Sequence, residues 1–411
     1  MILAHKIALD PTPEQARYFA RAVGTARFAW NWALGRWQEE YALWKEYQCG
    51  PKPSEGSLRR ELNALKADAF PWMLEVTKTA PQHAIMNLGK AFKNFFEGRA
   101  KYPRFKRKGV ARESFRADAG TDKQHPNAVK VDGRRIKLPI IGWVKMRETL
   151  RFDGKIIGAV VSHVADRWFV SLTVNVDHVT PVRETQAACG VDLGVKALAT
   201  LSDGTTIEGP KALSRNLKIL RRRSRAHGRK MKGSANRRKS AARLARLHAR
   251  IANIRRDAIH KATTRIVRQF DIVGIEDLNV RGMITNSRLS WAVADVGLSE
   301  FRRQVEYKAA LYGARVVLVD RWYPSSKTCS DCGWVHKALA LSDREWACDG
   351  CGVIHDRDHN AAVNLMNMAA SSAVTACGAT RSGPDLAVRT KRIAVKQEPK
   401  HGLPVHAYEN G

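Results

Sequence analysis

The 411-residue chain carries 71 Lys and Arg against 39 Asp and Glu, a formal net charge of +32 and a pI near 10.3. That imbalance argues against an evenly solvated surface and for a polyanionic partner, most simply DNA or RNA. No apolar run approaches the ~18 residues of a spanning helix, and Lys6 and Asp10 fall where a signal peptide needs apolar residues. The chain is therefore expected to avoid the membrane and stay inside the cell, with two or three domains.

Residues 2–9 read as a short strand. Pro11 and Pro13 then open a helix on which Gln15, Phe19, Val23, Ala26, Trp30 and Leu34 share one face. Further helices are predicted over 58–66 and 81–96, where Leu88, Ala91, Phe92 and Phe95 line one side. The segment 101–108 packs basic residues around two aromatics. Short β-like runs follow at 128–131, 135–138, 156–162 and 168–174. A small β-barrel with a helical insertion after its first strand fits this order.

A polar linker around Pro181 closes that half, and 188–194 starts the next. Ser202-Asp-Gly204 between two apolar runs is a hairpin signal. Residues 211–256 hold 18 Lys or Arg and no acid. Within them Leu244, Leu247, Ile251 and Ile254 give one apolar stripe on an otherwise basic helix. The runs 272–275 and 316–319 read as buried strands of a β/α unit. A helix is expected over 360–368, and the Ala-, Ser-, Lys- and Pro-rich tail from Ser371 reads as largely disordered.

The strongest local signal is Cys329-Ser-Asp-Cys332 and Cys348-Asp-Gly-Cys351, separated by 15 residues. Two CxxC pairs match one structural zinc, and a full thiolate set leaves no open position for catalysis. A redox role suits a lone CxxC better. His336 and His355 then read as surface residues. Cys49, Cys189 and Cys377 are scattered and odd in number, unlike a disulfide framework. Three carboxylates stand out. Asp192 ends an apolar strand between glycines, although it also suits a turn. Glu276 leaves a second strand, where α/β sheets present ligand groups. Asp358 precedes a helix-like run and also suits an N-cap. If the fold joins them, like charges raise one another's pKa unless a cation holds them. Two carboxylate-bound Mg2+ ions would suit phosphodiester chemistry. Around Tyr102 and Phe105, which could stack on bases or merely anchor a loop, Arg104, Lys106 and Arg107 suit phosphates. Arg221, Arg222 and Arg223 form the densest part of the basic helix. Trp30 and Trp322 read as packing residues.

These residues resemble the TnpB family, transposon-associated proteins related to Cas12 effectors. The resemblance runs from Met1 to about Met368. It rests on Arg27-Phe-Ala-Trp-Asn-Trp-Ala-Leu34, Tyr102-Pro-Arg-Phe-Lys-Arg-Lys108, Gly190-Val-Asp-Leu-Gly194, Gly274-Ile-Glu-Asp-Leu278, Tyr323-Pro-Ser-Ser-Lys-Thr-Cys329 and the segment from His355 to Leu365. It implies a multidomain α+β protein with a wedge-like β-barrel (1–10 and 101–182) and an inserted helical recognition domain (11–100). It further implies a RuvC-like, RNase H-type nuclease domain (186–325 and 356–370) and a zinc-binding insertion (326–355), leaving the tail (371–411). Asp192, Glu276 and Asp358 become the nuclease triad and Mg2+ ligands. Lys78 and Gln82 match positions that read a target-adjacent motif. The implied activity is cleavage of double-stranded DNA directed by a guide RNA from the transposon end, in the prokaryotic, nucleoid-bearing cytoplasm. Two alternatives stay open: a DNA transposase or transposition accessory protein, and a non-catalytic regulator that binds RNA or DNA.

Overall fold

The computed structural model describes residues 1–120, 128–177, 180–183, 186–287, 290–340 and 342–378. The first half comprises β1 (Ile2–Asp10), α1 (Pro13–Tyr47), α2 (Glu55–Leu65) and α3 (Thr79–Phe96). Strands β2 (Glu113–Asp118), β3 (Lys130–Asp132), β4 (Arg135–Leu138), β5 (Gly142–Met146), β6 (Lys155–Val164) and β7 (Arg167–Asn175) follow. Thr12 and Gln15 form a capping box that starts α1 with Pro13 at its first turn, and Gln48 ends it in the left-handed conformation. Phe19, Val23, Ala26, Trp30 and Leu34 are all buried, as their spacing predicts. Gln15 instead serves the end of the helix, donating to the Trp143 carbonyl.

The expected barrel is not formed. The seven strands make one open sheet in the order β2-β6-β7-β1-β5-β4-β3, with β2 and β3 as unpaired edges among the described residues. One bond, Val129 N to Ala119 O, lies beyond both edge strands and extends no ladder. The sheet has no need to close on itself, because α1 and α3 cover its apolar face. Phe19 packs on Phe115 of β2 and Trp168 of β7, and all three rings share one core. β1 turns the corner: residues 2–8 pair with β7, while Leu9 and Asp10 pair with β5. β2 and β5 escaped the sequence reading; β2 alternates polar residues around Phe115 and Ala117, and β5 starts from Gly142 at positive φ.

The second half comprises β8 (Ala188–Asp192), β9 (Ala199–Leu201), β10 (Thr206–Ile207), α4 (Ala212–Gly228) and α5 (Ala235–Gln269). Then come β11 (Ile272–Glu276), α6 (Val280–Thr285), α7 (Ser290–Val296), α8 (Leu298–Tyr312), β12 (Arg315–Val319), β13 (Glu345–Ala347), β14 (Ile354–Asp356) and α9 (Arg357–Gly378). The sheet order is β10-β9-β8-β11-β12; β8, β11 and β12 run parallel and the hairpin β9–β10 antiparallel. The apolar stripe of α5 bends away from its expected course. Leu247 and Ile251 are buried, Ile254 is exposed, and the buried side continues through Arg255 to Ile259 and Ile266. Arg255 is accepted there because the buried Asp295 carboxylate pairs with it at 3.0 Å and also caps α4, accepting from the amides of Leu213 and Ser214. Helix α9 continues through the expected break at Ser371 to Gly378; residues 379–411 of the tail lie outside the described residues. Among the described residues no helix is long and apolar enough to cross a membrane.

Two glycines decide how α9 lies on this sheet. A Cβ on Gly190 of β8 would collide with the Ala362 carbonyl, and one on Gly274 of β11 with that of Leu365. Their absence lets the α9 backbone rest directly on the two central strands, with Ala361, Ala362 and Leu365 buried.

Candidate active site and metal centre

This close approach sets the first turn of α9 over the C-terminal ends of β8 and β11. Asp192 is the last residue of β8, and Glu276 the last of β11. Asp358 lies in the first turn of α9, but the cap is Asp356, whose Oδ1 accepts from the His359 amide at 2.8 Å. Asp358 is thereby left to face Arg344, 3.4 Å away. Burial lifts the Asp192 carboxyl to about 7, and the charges of Asp358 and then Glu276 add to the rise against the opposing Arg357 and Arg344. Burial also raises Glu276, helped by Asp277. Asp277 itself goes the other way: hydrogen bonds from Arg321 and Arg302 hold it below the usual carboxylate range. Asp358 and Glu276 thus add to the rise of Asp192, while the neighbouring Asp277 is neutralised by two guanidiniums. The trio does not form a closed cage. Among the described residues, the clusters of three or more donors within 4.8 Å of one another are the four cysteines and Cys329–Asp331–His355. Separated hard oxygen donors whose charge the nearby arginines relieve only in part suit Mg2+, which keeps much of its water.

Cys329, Cys332, Cys348 and Cys351 form a metal-binding cluster. Cys329 and Cys351 sulfurs stand 3.7 Å apart, those of Cys332 and Cys348 3.5 Å. A tetrahedral metal with bonds of ~2.3 Å needs an edge of about 3.8 Å, so the sulfurs are already placed for one. The hairpin β13–β14 carries the second knuckle, and Trp346 and Leu339 cover the cluster. The reading of His355 as a surface residue is corrected: it is 7% exposed, and its Nε2 lies 3.0 Å from Cys329 Sγ. Its position opposite Trp346 across the hairpin buries it, a pairing that no spacing rule reveals. His336 sits between the rings of Trp334 and Trp346.

The nucleic-acid candidates scatter over other surfaces. Lys78 is exposed at the N-terminus of α3 and Gln82 half-buried one turn on. The cleft of about 410 Å3 between α1, α3 and β2 is lined instead by Arg27, His83, Lys90, Lys106 and Arg112 among others. In segment 101–108 the two aromatics part company. Tyr102 packs edge-on against Phe92 and Phe95, whereas Phe105 is 53% exposed. Arg104 and Arg107 are exposed, but Lys106 turns inward. Its ammonium sits 3.6 Å from the Trp30 ring centroid, and burial lowers it to about 8. Trp30 Nε1 donates to the Arg104 carbonyl, and Asn31 bonds both backbone groups of Lys106. Trp30 packs as expected; Trp322 does not, being 85% exposed. Arg221, Arg222 and Arg223 lie on the open face of α4, and Arg223 also borders a groove of about 420 Å3 with Arg243, Arg246 and Arg250 of α5. Those three α5 arginines were missed because the sequence spreads them between apolar residues.

Comparison with known proteins adds independent findings. A family described as "Probable transposase" matches residues 171–287, a "Cas12f1-like, TNB domain" matches 299–365, and a "Helix-turn-helix domain" matches 1–46. In this structure the last segment is a strand and one long helix. A protein of Streptomyces pristinaespiralis named "Putative RNA-guided DNA endonuclease" is 39% identical over 98% of both chains. "Putative RNA-guided DNA endonuclease InsQ" of Escherichia coli K12 is 34% identical, covering 91% of this chain and 94% of that one. Among solved structures, a Cas12f1–sgRNA–target DNA complex shares the fold, with a TM-score of 0.52 at 15% identity over 87% of this chain and 83% of that one.

Proposed function

The chain belongs to the TnpB family, and from that membership we propose that it is an RNA-guided endonuclease that cuts double-stranded DNA next to a short target-adjacent motif. The observation that carries the proposal is that Asp192, Glu276 and Asp358 come to one end of the sheet, where burial, with the charges of Asp358 and Glu276 added, lifts Asp192 to about 7. Each carboxylate comes from a different element, and all three lie at the end of the sheet where α9 meets β8 and β11. Charge that Arg344 and Arg357 oppose only in part suits a divalent cation. Bound Mg2+, two ions by preference, supplies charge stabilisation to the attacking and leaving oxygens of a phosphodiester. Asp192 and Glu276 hold that position from the rigid strand ends. Asp358 closes it from the helix. Arg302 and Arg321 keep Asp277 occupied, so that it adds no further charge to the site.

In this reading the four cysteines bind one structural Zn2+, and their module is an insertion at 326–355 within a nuclease domain at 186–325 and 356–370. The open β unit (1–10 and 101–182) and the helical insertion (11–100) hold the nucleic acid, with Lys78 and Gln82 at the start of α3 as motif readers. Phe105, Arg104 and Arg107 meet a guide RNA or heteroduplex, as do Arg221, Arg222 and Arg223. Base pairing then selects the sequence, while the protein holds shape and phosphates.

The description "Probable transposase" favours one second reading, strand transfer by the same carboxylates. Cleavage of a motif-bearing plasmid, with matched guide RNA, mismatched guide RNA or none, separates the two. Guide-dependent double-strand cutting supports the endonuclease. Cutting or joining that ignores the RNA supports the transposase, and tight target binding with no cutting in Mg2+ supports a regulator.

A further inference from the structure

Helix α9 carries two asparagines one turn apart, Asn360 and Asn364, which are 1% and 3% exposed. Buried amides are stable only when their hydrogen bonds are made. Both are satisfied by one short loop. Asn360 Nδ2 donates to the carbonyls of Thr328 at 2.7 Å and Ser325 at 3.3 Å. Asn364 Nδ2 donates to the same two carbonyls at 2.6 and 2.8 Å. Asn360 Oδ1 accepts from the Ser330 amide at 2.9 Å, inside the first cysteine knuckle. Asp358 stands two residues before Asn360. The second half of the cysteine module grips the same turn: the Arg357 amide donates to the Arg344 carbonyl at 2.8 Å, and the Arg344 side chain reaches Asp358.

A helix that only needed to cover the sheet has Gly190 and Gly274 for that purpose. The two asparagines instead fix rotation and height of α9 relative to the cysteine knuckle. Four donor contacts on two carbonyls leave the first turn little freedom to slide. We propose that Asn360 and Asn364 are positioning residues through which the cysteine module sets the place of Asp358, so that metal held by the thiolates governs how well the carboxylates bind a divalent cation. This inference rests on the reading of Asp192, Glu276 and Asp358 as that cation's site.

The test uses the full-length protein without RNA and reads Mn2+ binding by the loss of free-ion paramagnetic resonance signal. Zinc content and melting temperature are measured on the same samples. N364L keeps the branching at Cγ and removes the donors; N364S supplies a hydroxyl donor and adds no bulk. D358A is run in parallel. The expected result is normal zinc content, with Mn2+ affinity weakened about tenfold in N364L and less in N364S, as loss of an outer-shell partner produces. Guided cutting falls with the Mn2+ affinity and is recovered by raising the divalent concentration. If D358A abolishes Mn2+ binding while N364L and N364S bind it as wild type does, the positioning role is overturned and the triad stands. If D358A also binds normally, the triad reading has failed instead and the inference falls with it. Should N364L not fold, N364S decides: weakened Mn2+ binding at an unchanged melting temperature supports the proposal, and unchanged binding overturns it.

Discussion

The cysteine cluster and the carboxylate cluster sit on the same helix–sheet frame yet are built in opposite ways. The thiols come from 23 residues of chain, lie 3.5 to 3.7 Å apart in pairs and are walled by Trp346 and Leu339. The carboxylates come from positions 166 residues apart, between Asp192 and Asp358, and stay too far apart to form a cage. One site is complete in itself and serves as a strut. The other is held open by rigid elements that were placed for packing, with Arg344 and Arg357 opposing part of its charge. The contrast teaches that the tidier of the two clusters is the one whose ligand set leaves no open position.

The largest expected effect breaks the open site. D192A, E276A and D358A should each lower guided cutting by ~10²-fold or more, since each removes part of the charge stabilisation at the reacting phosphate. Target binding measured by gel shift should persist, because phosphate contacts on other surfaces supply it. The matching lesion in the closed site acts on structure. C348S should lose the zinc that metal analysis should find at one per wild-type chain, and should abolish hydrogen-exchange protection across 326–355, because metal binding supplies local folding energy.

Stability should separate the two sites in sign. An Asp whose folded pKa is raised to about 7 holds a proton in the native state that the unfolded chain has released above about 3.9. Between those values the native state binds more protons, so this group makes stability fall as pH rises, by a few kcal/mol at most (~1.4 per unit). Without divalent ions, wild type should therefore melt lower at pH 7 than at pH 5 relative to D192N, and Mg2+ should close that gap at pH 7. Equal pH slopes for the two proteins would show that Asp192 is not crowded. The smallest effect belongs to a surface that touches neither cluster. Reversing Arg221, Arg222 and Arg223 to Glu should weaken RNA binding and flatten its dependence on log salt by ~0.7 to 0.9 per lost phosphate contact, leaving zinc content unchanged.

What could be read from the chain follows the same contrast. Two CxxC pairs announce their metal because ligand spacing is local. The strands ending at Asp192 and Glu276 were legible as apolar runs with an acid at the exit. Their meeting with Asp358 was not, because it depends on α9 settling onto Gly190 and Gly274 across more than a hundred residues. The resemblance supplied that link. Sheet closure was misjudged for a related reason: strand-like runs show pairing partners poorly, and they do not show that Phe19 and its neighbours on α1 would occupy the face a barrel turns inward. His355 was misplaced because its burial arises from cross-strand pairing with Trp346.

The position of α9 also orders events in time. Its Ala369 and Leu365 are fully buried against strands made from residue 188 onward, with Ala369 in the same small core as Ile272. The seven-stranded half has all its elements once residue 175 is made. The other sheet must wait, its central strands bare along one side, until nearly two hundred more residues have emerged from the ribosome. A chain halted before Arg357 lacks both the cover for that apolar surface and Asp358. An unfinished polypeptide of this protein thus exposes that apolar surface, and on the proposed reading the ability to cut DNA arrives only with the last helix.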